Sequence, residues 1–260
     1  MPSTPEARSL AVFCDFENVA LGVREAKYAQ FDMDKVLERL LLKGSIVVKK
    51  AYCDWERYKE FKPAMHAASF EMIEIPHLRQ SGKNSADIRM VVDALDLCYT
   101  KEHVDTFVIV SGDSDFSPLV SKLRENAKTV IGVGVKNSSS DLLINNCDEF
   151  IYYDDLVRQD EQKRRAAKKR REAAPAGEDK KQEAYDVVLE TLNALIAERG
   201  AEEKIWGSMV KQALKRRKPG FNESYYGFRA FSDLLEEMQQ KALIKLDPDE
   251  KSGGYLIRPA

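Results

Sequence analysis

Four aspartates stand where acid chemistry would place them in this 260-residue chain. Asp15 closes the apolar run LAVFC (residues 10–14), and Asp113 and Asp115 follow FVIV (residues 107–110) inside the segment SGDSDF. Asp87 lies near the start of SADIRMVVDAL, residues 85–95, which reads as a helix. If the two apolar runs are neighbouring strands of a parallel sheet, their carboxyl ends converge on one crevice, where such sheets hold ligands. Crowded carboxylates repel one another and raise their own pKa values unless a cation neutralises them. Mg²⁺ or Mn²⁺ does this with a few carboxylates while keeping several waters. Plainer roles compete for two of the four. Asp115 also reads as a helix cap, and Asp87 as an acid favoured at a helix N-terminus. Asp15 and Asp113 are harder to explain structurally, because a carboxylate at the buried end of a central strand is costly without a partner. Asp93, six residues past Asp87, does not return to the same helix face and is expected either to lie behind the other acids in support of them or to serve the structure.

Other chemistries fit poorly. His66, His77 and His103 are scattered, without a cysteine or serine at a suggestive spacing. Gly132-Val133-Gly134 falls in a strand rather than opening a helix, so it is no dinucleotide fingerprint, and no GxxxxGK[ST] phosphate loop occurs. Cys14, Cys53, Cys98 and Cys147 lie far apart among apolar neighbours and read as reduced core thiols, which suits a cytoplasmic protein.

The elements that must position these acids alternate along residues 1–157. Strands are predicted at 10–14, 46–52, 72–75, 107–110, 130–135 and 150–153, with helices near 32–43, 56–68, 85–101, 116–127 and 139–146. Strand-helix alternation with nearly all-apolar strands predicts an α/β fold, a parallel sheet with helices on both faces. Asp32 and Asp34 mark one helix start; Ser114 and Asp115, with Pro118 just after, mark another.

Charge divides the chain further. Residues 1–157 carry 19 basic and 25 acidic side chains, residues 158–181 carry 10 and 5, and residues 182–260 carry 12 and 13. An acidic body with a basic neck suits a protein that gathers carboxylates in one place and keeps its cations elsewhere. The neck, RQDEQKRRAAKKRREAAPAGEDKK, lacks the apolar residues to pack a core and reads as a linker or a phosphate-attracting arm. Residues 182–260 predict helices at 184–197, 206–217 and 225–241, then a hairpin of strands 243–246 and 255–257: a winged helix-turn-helix. No apolar run is long enough to span a bilayer, and the opening MPSTPEARSLAVF has no signal-peptide pattern, so no membrane association is expected.

The combination of DFEN (residues 15–18), SADIRMVVDAL, SGDSDFSPLV (residues 111–120) and CDEFI (residues 147–151) resembles the NYN family, the LabA-like branch of the PIN-like nucleases, over residues 10–155. The resemblance implies a metal-dependent endoribonuclease site with Asp15, Asp87, Asp113 and Asp115 at its acidic positions. It also implies a role for Asn18 in orienting Asp15 or a metal-bound water. LKRRKPGFNESYYGFRAFSDLLEEMQ, residues 214–239, resembles the LOTUS or OST-HTH domain, with Phe221, Tyr226, Gly227, Phe228 and Phe231 where that family places them. This second resemblance implies RNA binding or, in some relatives, docking of another protein. From the residues themselves, Lys211, Lys215, Arg216, Arg217 and Lys218 form a basic helix end beside Tyr225 and Tyr226, a surface suited to gripping phosphates and stacking a base.

The function expected is therefore a metal-dependent endoribonuclease, using Mg²⁺ or Mn²⁺, with RNA bound through the C-terminal domain. Under that reading a metal-activated water attacks the phosphodiester, Asp15, Asp87 and Asp113 are the ligands, and Asp115 is a ligand or general base. Arg79 and Lys83, just before Asp87, are expected to hold the phosphate backbone. A non-catalytic RNA-binding regulatory adaptor is the alternative, and a phosphatase or DNA nuclease on the same acids a third.

Overall fold

The structure is a computed structural model, which describes residues 8–28, 30–75, 83–162, 179–200, 202–249 and 254–260, with the backbone alone at 83, 84 and 179. The chain divides into two compact units, Met1–Ala167 and Lys168–Ala260. Arg79, His77 and residues 163–178 of the basic neck lie outside the described residues.

The first unit is organised by strand β1 (Arg8–Asp15), whose last six residues are all buried. Alternate side chains point to opposite faces of a strand, and the two cores follow that period. Leu10, Val12 and Cys14 enter one cluster with Val108, Val110, Ile131 and Val133. Ala11 and Phe13 enter the other with Phe107, Ile109 and Val130. Burial on both faces is why these strands read as unbroken apolar runs. The remaining strands are β2 (Gly44–Cys53), β3 (Glu71–Glu74), β4 (Thr106–Val110), β5 (Thr129–Gly134) and β6 (Glu149–Tyr152). The order is β3-β2-β1-β4-β5-β6, and every pairing is parallel. The chain reverses direction across the sheet between β1 and β4, and the crevice above that switch point lies between Asp15 and residues 111–115.

Six helices follow the strands or connect them: α1 (Phe16–Glu25), α2 (Met33–Lys43), α3 (Lys62–Ala67), α4 (Lys83–Thr100), α5 (Ser117–Glu125) and α6 (Asp141–Asn146). A seventh, α7, covers 153–162. Two departures from expectation have local causes. Helix α1 was not expected, because Asp15 reads first as a strand end. It is also the N-cap, with Phe16, Val19 and Val23 turning one apolar stripe into the core. The helix expected over 56–68 shrinks to six residues, because Pro63 suits the first turn of a helix and the residues before it form a short 3-10 turn.

The second unit holds α8 (Asp179–Arg199), α9 (Gly207–Arg217) and α10 (Phe231–Gln240), then an antiparallel hairpin of β7 (Ile244–Pro248) and β8 (Tyr255–Pro259). The expected third helix starts later than residue 225. A 3-10 turn, Glu223–Tyr226, ends at Gly227 in the left-handed region (φ 88°), which breaks the chain before α10 begins. Tyr185, Val188, Leu192 and Leu195 of α8, Val210 and Leu214 of α9, and Phe228, Phe231 and Leu234 are buried.

Candidate active site

Asp15 is the last residue of β1 and the cap of α1, and its side chain is buried on the crevice wall. Oδ1 accepts from the Asn18 backbone N–H at 3.4 Å, and Oδ2 accepts from the Ser111 hydroxyl at 3.0 Å. Ser111 Oγ in turn accepts from the Asp113 N–H at 3.1 Å. The Asn18 side chain reaches across the switch point, where its Oδ1 accepts from the Gly112 N–H at 2.9 Å. The Asn18 side chain therefore ties α1 to the loop after β4, while it is the Asn18 backbone N–H that meets Asp15. Gly112 has no space for a side chain: a Cβ there would stand 2.3 Å from the Ser138 carbonyl oxygen.

Burial pushes the Asp15 carboxyl up to about 7 from an ordinary 3.8, and the negative charges of Asp87 and, more weakly, Asp113 push the same way; the Ser111 and Asn18 hydrogen bonds oppose them. Asp15, Asp87 and Asp113 thus share one electrostatic neighbourhood. Asp113 caps the 3-10 turn of residues 114–116, its Oδ1 accepting from the Asp115 N–H at 3.0 Å. The cap is Asp113 rather than Asp115, whose residue is exposed. Among the described residues, no three acidic, histidine or cysteine side chains are gathered tightly enough to hold a metal ion. The donors present are nevertheless all oxygen, and a buried, like-charge-crowded carboxylate is the setting a hard divalent cation relieves. Cys14 beneath Asp15 is no nucleophile: burial, then the Asp15 charge, holds its thiol well above the ordinary range. Cys53 and Cys98 are buried as well, and Cys147 is half-buried.

Asp93 is engaged by other partners. It accepts from the Tyr52 hydroxyl at 2.9 Å and pairs with Arg89 at 3.1 Å, a structural tie between α4 and β2. Lys83 opens α4. Ser111 escaped attention in the sequence, although a hydroxyl directly after a buried strand and two residues before an aspartate was the available signal.

The sequence pattern of the NYN domain matches residues 9–154, more than half of the chain. The chain belongs to the NYN family. The NYN domain is a nuclease-type domain, and the OST-HTH/LOTUS domain, an RNA-binding type, matches residues 185–251. An uncharacterised protein of Methanocaldococcus jannaschii is 30% identical over 125 residues, which are 48% of this chain and 49% of that one. The chain thus spans about half the length of this curated relative. A crystal structure of a Vibrio parahaemolyticus protein of unknown function matches with TM-score 0.52 and 27% identity, covering 59% of this chain and 98% of that one. Among the described residues, no helix is long and apolar enough to cross a membrane.

In the OST-HTH/LOTUS domain the five expected cations diverge. Arg217 turns inward: its side chain is 3% exposed and bonds Glu190 at 2.8 Å and the Thr191 hydroxyl at 3.2 Å, so it holds α9 to α8. Arg216 is half-buried, and Lys211 pairs with Glu223 at 3.0 Å. Lys215 and Lys218 are exposed. Tyr225 is exposed, with the Lys180 ammonium 4.9 Å from its ring centre, whereas Tyr226 stacks on Phe221 at 5.2 Å.

Proposed function

We propose that this NYN protein is a metal-dependent endoribonuclease whose OST-HTH/LOTUS domain holds the RNA. The observation that carries the reading is Asp15: a buried carboxylate at the sheet's switch point, raised to about 7 with Asp87 and Asp113 contributing. Asp15, Asp87 and Asp113 would hold Mg²⁺ or Mn²⁺, to which an all-oxygen donor set is suited. Such an ion, when bound, supplies an activated water and a counter-charge for the phosphoryl oxygens. The chain's own residues do the positioning. Ser111 fixes the orientation of Asp15, Asn18 holds the loop after β4 against α1, and the cap that Asp113 provides keeps its carboxylate at the mouth of the crevice. Asp115, exposed at the rim, is assigned the general-base role. Arg79 and Lys83 would hold the substrate backbone. Lys215, Lys218 and Tyr225 would grip RNA in the second domain.

The test is purified protein with labelled RNA and DNA panels in Mg²⁺, Mn²⁺ or EDTA. Cleavage of RNA that needs the metal supports the reading; equal cleavage in EDTA overturns it. A second reading, a non-catalytic RNA-binding adaptor, draws on the acid excess of residues 1–157, which weakens any grip on RNA by that domain alone. Binding without cleavage under every metal condition would favour it.

A further inference from the structure

Helix α4 is apolar along two rows. Met90, Ala94 and Cys98 are buried in the core with Phe107 and Ile109 of β4. Ile88, Val92, Leu95 and Tyr99 follow one another at spacings of 4, 3 and 4, which lines them up as a second row. That row is left in solvent: Ile88 is 62% exposed, Val92 55% and Tyr99 62%, while Leu95 is half-buried. A helix that is apolar nearly all round is ordinarily covered all round, and this alternation of spacings is that of a seam between two helices. The Tyr99 ring is also anchored, its hydroxyl accepting from Asn126 Nδ2 at 3.3 Å.

The rest of the chain has little to lay on this row. The residues outside the described ones carry Met1 and Leu78 as their only large apolar side chains. Among the described residues the other exposed large apolar side chains, Val47, Leu142 and Tyr225, stand singly on β2, on α6 and in the second unit. The surface that does match the row is the row itself, and its charges agree. Arg89 and Asp96 are both exposed and stand about two turns apart, hence on one flank of it. Arg89 is held through Nε to Asp93 at 3.1 Å with 57% of its side chain still exposed.

We propose that α4 pairs antiparallel with α4 of a second copy of this chain, about a two-fold axis passing between residues 93 and 94. An isologous contact needs a patch complementary to itself. In this register Ile88 meets Tyr99 of the second copy, and Val92 meets Leu95, each pair formed twice. Antiparallel pairing brings like flanks together, and Arg89 comes within about 3 Å of the level of Asp96 of the second copy, at 1.5 Å per residue. A parallel pair would set Arg89 level with Arg89 and Asp96 with Asp96. The two Asp87 residues then stand about 20 Å apart along the helix axis, so one particle carries two crevices. Four side chains from each copy make a contact at the small end of specific interfaces, so the dissociation constant is about 1–100 µM.

Sedimentation equilibrium of the full chain in EDTA, from about 1 to 200 µM, tests it, because this range brackets that constant. The wild-type mass should climb from 29.5 kDa towards twice that value. Val92→Asp, which sets two carboxylates near the axis, should raise the dissociation constant at least about tenfold. Its melting temperature at about 1 µM should stay within about 2 °C of wild type, since the site is exposed in the monomer. Ile88→Asp serves the same purpose if Val92→Asp fails to fold. Arg89→Glu and Asp96→Arg should each weaken the dimer about three- to tenfold, and the two together should restore it to within about threefold of wild type. A mass that stays at 29.5 kDa throughout overturns the proposal, as does a dimer that both aspartate variants leave intact. A double charge variant no tighter than its weaker parent removes the antiparallel register.

Discussion

Replacing Asp15 by asparagine removes one charge while keeping the shape of the side chain, and the consequence for stability has a definite sign. In the folded protein the Asp15 carboxyl is raised to about 7, against 3.8 for the free group, so between those values the folded state holds a proton that the unfolded chain has released. Stability contributed by this group therefore falls as pH rises from about 4 to about 7, and is flat above. At about 1.4 kcal/mol per pH unit, the burden is about 1.6 kcal/mol at pH 5 and about 4 kcal/mol at pH 8. Asp15→Asn escapes this burden, and Ser111 Oγ and the Asn18 N–H can still meet an amide. Its advantage over the parent protein in metal-free buffer should thus be larger at pH 8 than at pH 5, by about 2–3 kcal/mol. For a unit of this size that is a difference of roughly 5–10 °C in melting temperature. Differential scanning fluorimetry of both proteins in EDTA at the two pH values measures it. Adding Mn²⁺ at pH 8 should shrink the advantage, because a cation stabilises only the ionised parent. An advantage that is equal at the two pH values, or larger at pH 5, would refute the argument that burial and neighbouring charge dominate at Asp15.

Asp113→Asn should reduce cleavage to background while moving stability by less than about 0.5 kcal/mol, since asparagine caps as well as aspartate; retained activity in a gel assay would remove Asp113 from the site. Gly112→Ala forces a Cβ against the Ser138 backbone, so unfolding in urea should show a loss of about 1–3 kcal/mol; an unchanged midpoint would mean that the loop yields freely. Lys215→Ala with Lys218→Ala should flatten the log–log salt dependence of RNA binding by about 1.4, two contacts at about 0.7 each, whereas Arg217→Ala should cost about 1–3 kcal/mol of stability through its lost pairs. Anisotropy at several salt concentrations, with melting curves, separates the two effects. A fragment ending at residue 162, which keeps Tyr153 and Leu156 of α7 in the core, should cut long RNA with raised KM and little change in kcat; a collapsed kcat in the folded fragment would give the second domain a share in building the site.

The sheet was legible because its central strands are buried on both faces, so LAVFC and FVIV could be nothing but core. The position of the acids was legible for the same reason: Asp15 and Asp113 interrupt or follow those runs. Helix α1 was not, since Asp15 serves as both strand end and cap, and one residue gives one signal. The fate of Arg217 was hidden too. Lys215, Arg216, Arg217 and Lys218 look alike in sequence, and only the approach of α8, with Glu190 and Thr191, decides which of them turns inward. Ser111 was overlooked because a serine gains meaning there only from the two aspartates it bonds.

The backbone ladder between β1 and β4 ends at Cys14 and Val110, one residue short of Asp15 and three short of Asp113. Beyond that rung the seam is carried on by side chains, Ser111 to Asp15 and Asn18 to Gly112. A seam stitched this way can part without unzipping the sheet. The width of the crevice is thereby decoupled from the stability of the domain, and the Gly112 amide becomes a reporter of that width: its hydrogen can exchange during openings that leave Val110 protected.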